Sequence, residues 1–187
     1  MDTIIRCGWC NSSKLYQDYH DKEWGIPVYD DNVLFEVILL ESFQAGLSWI
    51  TILNKREGFR KAFDNFDYKK IALYNQKKID QLILDDRIVK NKLKIKASVT
   101  NALAFMEVQR EFGSFSEYFW RFTDQKVIDN RPNELKDIPA RTELSDKISA
   151  DLKKRGFKFV GSVSIYAFMQ AVGMVNDHIM ECSFRKK

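Results

Sequence analysis

Cysteine, histidine, proline and glycine are all scarce in this chain: three cysteines, two histidines, three prolines and eight glycines among 187 residues. Three thiols behind no signal-peptide pattern do not make a disulfide framework, and they fit a reducing cytosol. Charge of one sign is also in short supply. A net charge of +4 raises the odds of an anionic partner only slightly, because many soluble enzymes carry as much. Runs of alternating strand-like residues, internal repeats and low-complexity segments are missing as well. What remains is ordinary globular composition, 45% hydrophobic and 30% charged, in a chain long enough to bury a substantial core as one domain. One stretch, residues 159–176 (FVGSVSIYAFMQAVGMVN), lacks charge altogether. It contains Ser162, Ser164, Gln170, Asn176 and two glycines, and it falls short of the about 20 mainly apolar residues of a membrane span. It reads as a buried core helix, and no membrane partner is expected.

The periodicity that is present is helical, which makes the chain all-α. Asp31 is the expected cap of a helix on which Leu34, Val37, Ile38, Glu41, Ala45 and Ser48 share a face. Asp67 and Asn75 cap two short helices. A longer helix runs from about Ile88 to Phe112 and stops at Gly113. Ser114 and Glu117 have the spacing of a capping box. Residues 124–142, with two of the three prolines, lose the pattern and read as a loop. Leu144, Ile148 and Leu152 then mark an amphipathic helix ended by Gly156, and a tight Gly156–Gly161 turn leads into the uncharged helix.

The opening stretch RCGWCNSSKLYQDYHDKEWG, residues 6–25, holds two cysteines, a histidine, two tyrosines and two tryptophans. CGWC has redox-dithiol spacing, but such motifs work at the start of a helix leaving a buried strand, and only six residues precede Cys7. The histidines are more telling. His20 follows Cys7 by thirteen residues and His178 precedes Cys182 by four, a spacing that on a helix leaves both side chains on one face. A Cys–His pair from each terminus makes four nitrogen and sulfur ligands, the complement of a closed tetrahedral zinc site. Such a site would clamp two ends that otherwise fray. Against that stands the ordinary case, in which a histidine near a cysteine is only hydrogen-bonded. Cys10 reads as a small buried thiol, although it could replace one ligand.

Glu41 lies on the core stripe of its helix, where an ionised carboxylate is costly unless something pairs with it. A structural hydrogen bond is one explanation, and an acceptor at the base of a pocket is the other. Trp49 follows two turns along, and Trp9, Tyr16, Tyr19 and Trp24 come from the opening stretch. Aromatic clusters are commonly core, yet several π faces beside an acid could also hold a flat, electron-poor heterocycle. Two basic runs complete the candidates. Arg87 to Lys96 holds five basic residues and no acid, and Lys153 to Lys158 (KKRGFK) surrounds a glycine just before a helix. Both can be solvated faces. The second could also let backbone N–H groups approach a phosphate, gripping nucleic acid without reading its sequence.

Three segments, RCGWC…LYQDYHDKEWG, LLESFQAGLSWITIL and KKRGFKFVGSVSIYAFMQAVGMVNDH…C, closely resemble the 3-methyladenine DNA glycosylase I family of the helix–hairpin–helix glycosylase superfamily. The resemblance runs from Arg6 to about Cys182. It implies a single glycosylase domain over residues 1–187, with zinc-linked termini at 6–24 and 176–183 and a helix–hairpin–helix at about 143–173. It makes Cys7, His20, His178 and Cys182 the ligands of one structural zinc. It places Glu41, Trp9, Tyr16, Tyr19, Trp24 and Trp49 around a damaged-base pocket, and Gly46 and Leu47 near the gap left by an extruded nucleotide. Lys153, Lys154, Arg155, Gly156, Lys158 and Gly161 would grip the DNA backbone. Cys10 is outside the metal pattern.

The activity so implied is excision of 3-methyladenine from double-stranded alkylated DNA by a monofunctional N-glycosyl hydrolase, leaving an abasic site. Glu41 would accept hydrogen bonds from the alkylated base and favour its departing form. Many superfamily members carry an aspartate after the module; Asp177 is a candidate for it, although the resembled family is thought to lack that residue. The expected setting is a cytoplasmic monomer, nucleoid-associated in a bacterium, with no obligate protein partner. Two other functions fit parts of the pattern. A zinc-stapled helix–hairpin–helix protein could bind DNA without catalysis, though it would have no use for Glu41. A zinc-dependent base deaminase would need an open coordination position, which four protein ligands deny.

Overall fold

Positions 34–43 are buried with the exception of Glu36, far too continuous a run for a one-sided surface helix. In the computed structural model, which describes residues 3–185, this run forms α2 (Asp31–Gln44), the central rod of the molecule. Around it lie α1 (Lys14–Lys22), α3 (Trp49–Ala62), α4 (Tyr68–Ile71), α5 (Gln76–Leu84), α6 (Lys92–Phe112), α7 (Phe115–Trp120), α8 (Glu143–Lys154) and α9 (Ser162–Ala171). Helix α2 packs against α9, α6, α3 and α7, and one continuous apolar cluster runs from Cys7 to Cys182. The all-α expectation holds with one addition. Ile128–Asp129 (β1) and Val175–Asn176 (β2) form a two-residue parallel pair, with Ile128 opposite Val175.

Several expected boundaries move for identifiable reasons. Asp30, not Asp31, caps α2, accepting from the N–H groups of Asn32 and Val33. Asp31 instead accepts from the N–H groups of Phe115 and Ser116 at 2.9 and 2.8 Å, so it caps α7 across the core. Asp67 and Asn75 do cap α4 and α5. Helix α6 starts at Lys92 rather than near Ile88, because Asn91 accepts from the N–H groups of Leu93 and Lys94. Ser114 accepts from the N–H of Glu117, the first half of the anticipated box.

The largest departure concerns Ala45, Ser48 and Trp49, which the periodicity put on one continuous helix with Glu41. Helix α2 ends at Gln44: Ala45 leaves the helical conformation (φ −47°, ψ 114°), Gly46 adopts φ +85°, and the Leu47 N–H closes a turn on the Gln44 carbonyl. The ammonium of Lys94, buried in α6, caps this end by donating to the carbonyls of Phe43 and Ala45 at 2.9 and 2.8 Å. Trp49 therefore opens α3 rather than closing α2.

Helix α8 ends as expected at Gly156, whose φ of +99° favours glycine. The turn that follows is tied to α6. Asn101 accepts from the Lys158 N–H at 2.8 Å and donates to the Lys158 carbonyl at 3.1 Å, and Ser149 donates to the Val160 carbonyl at 2.6 Å. Of the uncharged stretch only Ser162–Ala171 is helical, and no helix among the described residues is long and apolar enough to cross a membrane. Gly173 then lets the chain pass against residues 26–27, where a Cβ would sit 2.3 Å from the Ile26 carbonyl carbon.

Candidate active site and metal centre

Glu41 reaches the site because it lies one turn before the end of the buried rod. It is 4% exposed, and its Oε2 has no hydrogen-bond partner. Burial alone pushes its carboxyl up from the ordinary 4.5 to about 8. A structural hydrogen bond is thus not what holds it. The carboxyl opens into a cavity of about 320 Å³ walled by Trp9, Tyr16, Tyr19, Trp24 and Trp49. All five aromatics proposed from the sequence meet here. Trp9 and Tyr16 ring centres lie 4.9 Å apart, Trp9 and Trp24 5.0 Å, and Tyr19 and Trp49 5.4 Å. Trp49 arrives by the break at residues 45–48, and its buried indole Nε1 also lacks a partner. Burial pushes both tyrosine hydroxyls up, so they stay neutral donors. A cavity with flat aromatic walls, one acid and unpartnered polar atoms suits a planar polar ligand.

Behind the aromatic wall the four Cys and His side chains converge. Cys7, His20, His178 and Cys182 are all buried, and their ligand atoms lie within 4.8 Å of one another. The Sγ to ring-nitrogen distances are 3.3 and 3.7 Å to His178 Nδ1 from Cys182 and Cys7, and 3.6 Å from Cys182 to His20 Nε2. A tetrahedron with metal–sulfur bonds of about 2.3 Å and metal–nitrogen bonds of about 2.05 Å has sulfur–nitrogen edges of about 3.5 Å. The residues therefore fit a four-coordinate metal ion. Their outer ring nitrogens are oriented too: His20 Nδ1 lies 2.8 Å from Asp21, which Arg6 grips in turn, and His178 Nε2 lies 3.2 Å from the Trp24 carbonyl. His178 and Cys182 do not share a helix as the spacing suggested; they follow β2 in an irregular segment. Cys10 is buried outside the cluster and donates to the Cys7 carbonyl, and Gly8–Cys10 is a single 3-10 turn with no strand before it among the described residues, unlike a redox dithiol.

Gly46 and Leu47 border a smaller cavity of about 170 Å³ with Gln44, Ala45, Val163, Ser164 and Ala167, two of which also wall the larger one. Leu47 is 41% exposed. Lys153 and Lys154 are exposed in the last turn of α8, and Lys158 is exposed on the turn from Gly156 to Gly161 that leads into α9. Arg155 differs: its guanidinium pairs with Glu111 and Asp151 at 2.7 Å and stacks on Phe112 and Tyr118. The other basic run is mostly absorbed by the fold, Lys94 by its carbonyls and Arg87 and Lys90 by Asp85 and Asp86.

The sequence profile of the methyladenine glycosylase family matches residues 9–186. The chain belongs to the methyladenine glycosylase family. A DNA-3-methyladenine glycosylase of Haemophilus influenzae is 45% identical over 177 residues, covering 95% of this chain and 96% of that protein. Among solved structures, a 3-methyladenine DNA glycosylase I is 44% identical with a TM-score of 0.93, over 96% of this chain and 98% of that one. Another 3-methyladenine DNA glycosylase I, in complex with 3-methyladenine, is 34% identical with a TM-score of 0.95, over 97% and 98%.

Within this methyladenine glycosylase fold, five cavity residues escape the sequence reading: Gln44, Leu135, Ile138, Ala167 and Gln170. Gln170 had a signal, since a long polar side chain inside an uncharged helix is as out of place as Glu41. Leu135 and Ile138 had none. They belong to the aperiodic loop, where a 3-10 turn at Leu135–Asp137 brings them over the cavity.

Proposed function

We propose that this chain excises 3-methyladenine from alkylated double-stranded DNA by hydrolysing its N-glycosidic bond. The observation that carries the reading is the buried carboxyl of Glu41, with one oxygen unused, inside a cavity walled by three tryptophans. A base must leave the duplex stack to enter such a cavity, at a cost of a few kcal/mol. Methylation at N3 makes the purine cationic, so its ring is attracted to indole faces and its N–H groups to an acid. Burial by itself favours the protonated acid; a cation beside it reverses that preference and holds the carboxylate ionised. The C1′–N9 bond then breaks with its electron pair passing to the base. Water adds to C1′ and gives up a proton, leaving an abasic site. No lysine is among the described residues that line the cavity, and the proposed reaction includes no lyase step.

The four-residue centre is read as one structural zinc held by Cys7, His20, His178 and Cys182, supplying a cross-link between the chain ends. Helices α8 and α9 with their Gly156–Gly161 turn are read as a helix–hairpin–helix gripping phosphates through Lys153, Lys154, Lys158 and the turn's backbone. Arg155 would have to leave two carboxylates to join them. Gly46 and Leu47 would occupy the gap in the duplex. The chain is taken to act as one domain and as a monomer in a bacterial cytoplasm, close to the nucleoid.

Release of free base from methylated duplex, measured for wild type and Glu41→Gln, tests this reading. Wild type should release 3-methyladenine, and the variant should do so at least tenfold more slowly. No release by wild type would leave a DNA-binding protein without catalysis; full activity in the variant would remove Glu41 from the scheme.

A further inference from the structure

Asp177 is 1% exposed, yet it forms no ion pair among the described residues. Three neutral groups face it instead. Its Oδ1 accepts from Asn130 Nδ2 at 2.7 Å, and its Oδ2 accepts from the Tyr166 hydroxyl at 2.7 Å and from Gln170 Nε2 at 2.8 Å. The arrangement depends on the small strand pair, whose register continues with the Asn130 N–H donating to the Asn176 carbonyl and so draws Asn130 up to Asp177. Burial, with Asp177 next to it, pushes the Tyr166 hydroxyl up and keeps it a donor. Each of these three partners thus gives a hydrogen to the carboxyl oxygens.

The consequence falls on Gln170, which lines the base cavity. An amide has a donating end and an accepting end, and either can face a ligand unless something decides between them. Asp177 decides. With the NH2 of Gln170 claimed, the carbonyl Oε1 is left with no hydrogen-bond partner among the described residues. We propose that Asp177 is a positioning residue that turns the carbonyl oxygen of Gln170 toward the cavity, making Gln170 a second acceptor beside Glu41 for the N–H groups of an alkylated purine. The proposal rests on the base-binding reading above, and it gives the buried aspartate a task outside bond cleavage. Two acceptors and no fixed amide donor favour a ring rich in N–H groups and positive charge. They disfavour a ring edge that presents lone pairs.

The test is a double-mutant cycle on the metal-loaded protein, read by calorimetric binding of free 3-methyladenine. Gln170→Met keeps the side chain's length and removes its acceptor; Asp177→Asn keeps the shape and frees the amide to flip. Loss of one hydrogen bond to a charged or polarised partner is worth about tenfold in affinity. Each single variant should bind 3-methyladenine about tenfold more weakly, and the double variant no more weakly than either single one. Affinity for undamaged duplex should stay at the wild-type level in all three. Multiplying effects would overturn the proposal, because Asp177 would then act independently of Gln170. So would wild-type affinity in Gln170→Met, a variant on the cavity wall that leaves the buried network its other two donors. If wild type binds no 3-methyladenine, the base-binding reading fails, an outcome distinct from these.

Discussion

At the scale of single residues, Glu41 and Asp177 show two ways of keeping an acid out of water. Asp177 is surrounded by donors, whereas Glu41 has one oxygen facing nothing and its carboxyl is pushed up to about 8 by burial. That displacement links stability to pH. A carboxyl held above its unfolded value of 4.5 favours the folded state fully below that value, and the contribution is lost as pH rises through 8. The free energy tied to so large a displacement is roughly 5 kcal/mol at most. Glu41→Gln removes the titration. The variant should therefore gain stability over wild type as pH goes from 4.5 to 8, with a constant difference above that range. Denaturant unfolding of both proteins at a series of pH values measures it; parallel curves would mean that folding does not raise the Glu41 carboxyl above its unfolded value.

At the scale of elements, the site depends on where α2 stops. If the helix ran on through Ser48, as its spacing suggested, Trp49 would project two turns beyond Glu41 instead of opening α3 at the cavity. The break needs its bare carbonyls satisfied, and Lys94 does so from α6. Lys94→Met leaves the buried Phe43 carbonyl and the half-buried Ala45 carbonyl without this donor, which costs about 1–3 kcal/mol. It also loosens residues 45–48. The expected outcome is a lower melting temperature and weaker lesion-DNA binding, with affinity for free 3-methyladenine changed less; equal losses on both ligands would show that the loop does not act on DNA separately. This contact also marks a limit of what the chain discloses. Helix periods, most caps and the aromatic cluster were legible because they follow from neighbours in sequence. The α2 break, the reassignment of Asp31 to α7 and the β1–β2 pair were not, since each is decided by a partner far away along the chain. The Cys–His centre was legible only because histidines are so few, and the helix expected under His178 and Cys182 was absent because their convergence is tertiary.

At the scale of the whole molecule, the two ends of the chain meet behind the base cavity. The Ser183 N–H donates to the Ile5 carbonyl, and the Ile5 N–H returns a bond to the Ser183 hydroxyl. The Cys–His centre lies beside this junction, and its rings touch the cavity wall. Trp24 packs edge-on to His178 at 4.6 Å, and Trp9 edge-on to His20 at 5.2 Å. A metal there would fix the wall and tether the termini in one step. Cross-linking Cys7 to Cys182 closes almost the entire chain, and the loop-entropy arithmetic used for a disulfide puts such a closure at about 5 kcal/mol. Removing the metal by chelation, or replacing Cys182 by serine, should therefore lower the melting temperature substantially. Affinity for 3-methyladenine should fall in step, and tryptophan fluorescence should change as Trp9 and Trp24 lose their backing. Metal content, thermal unfolding and calorimetric base binding followed along one chelation series make the comparison. A structural centre requires the three to decline together. If base release vanished while the melting temperature and base affinity held, the metal would have to act on the reaction and not on the wall, and the closed tetrahedral reading of the four ligands would be wrong.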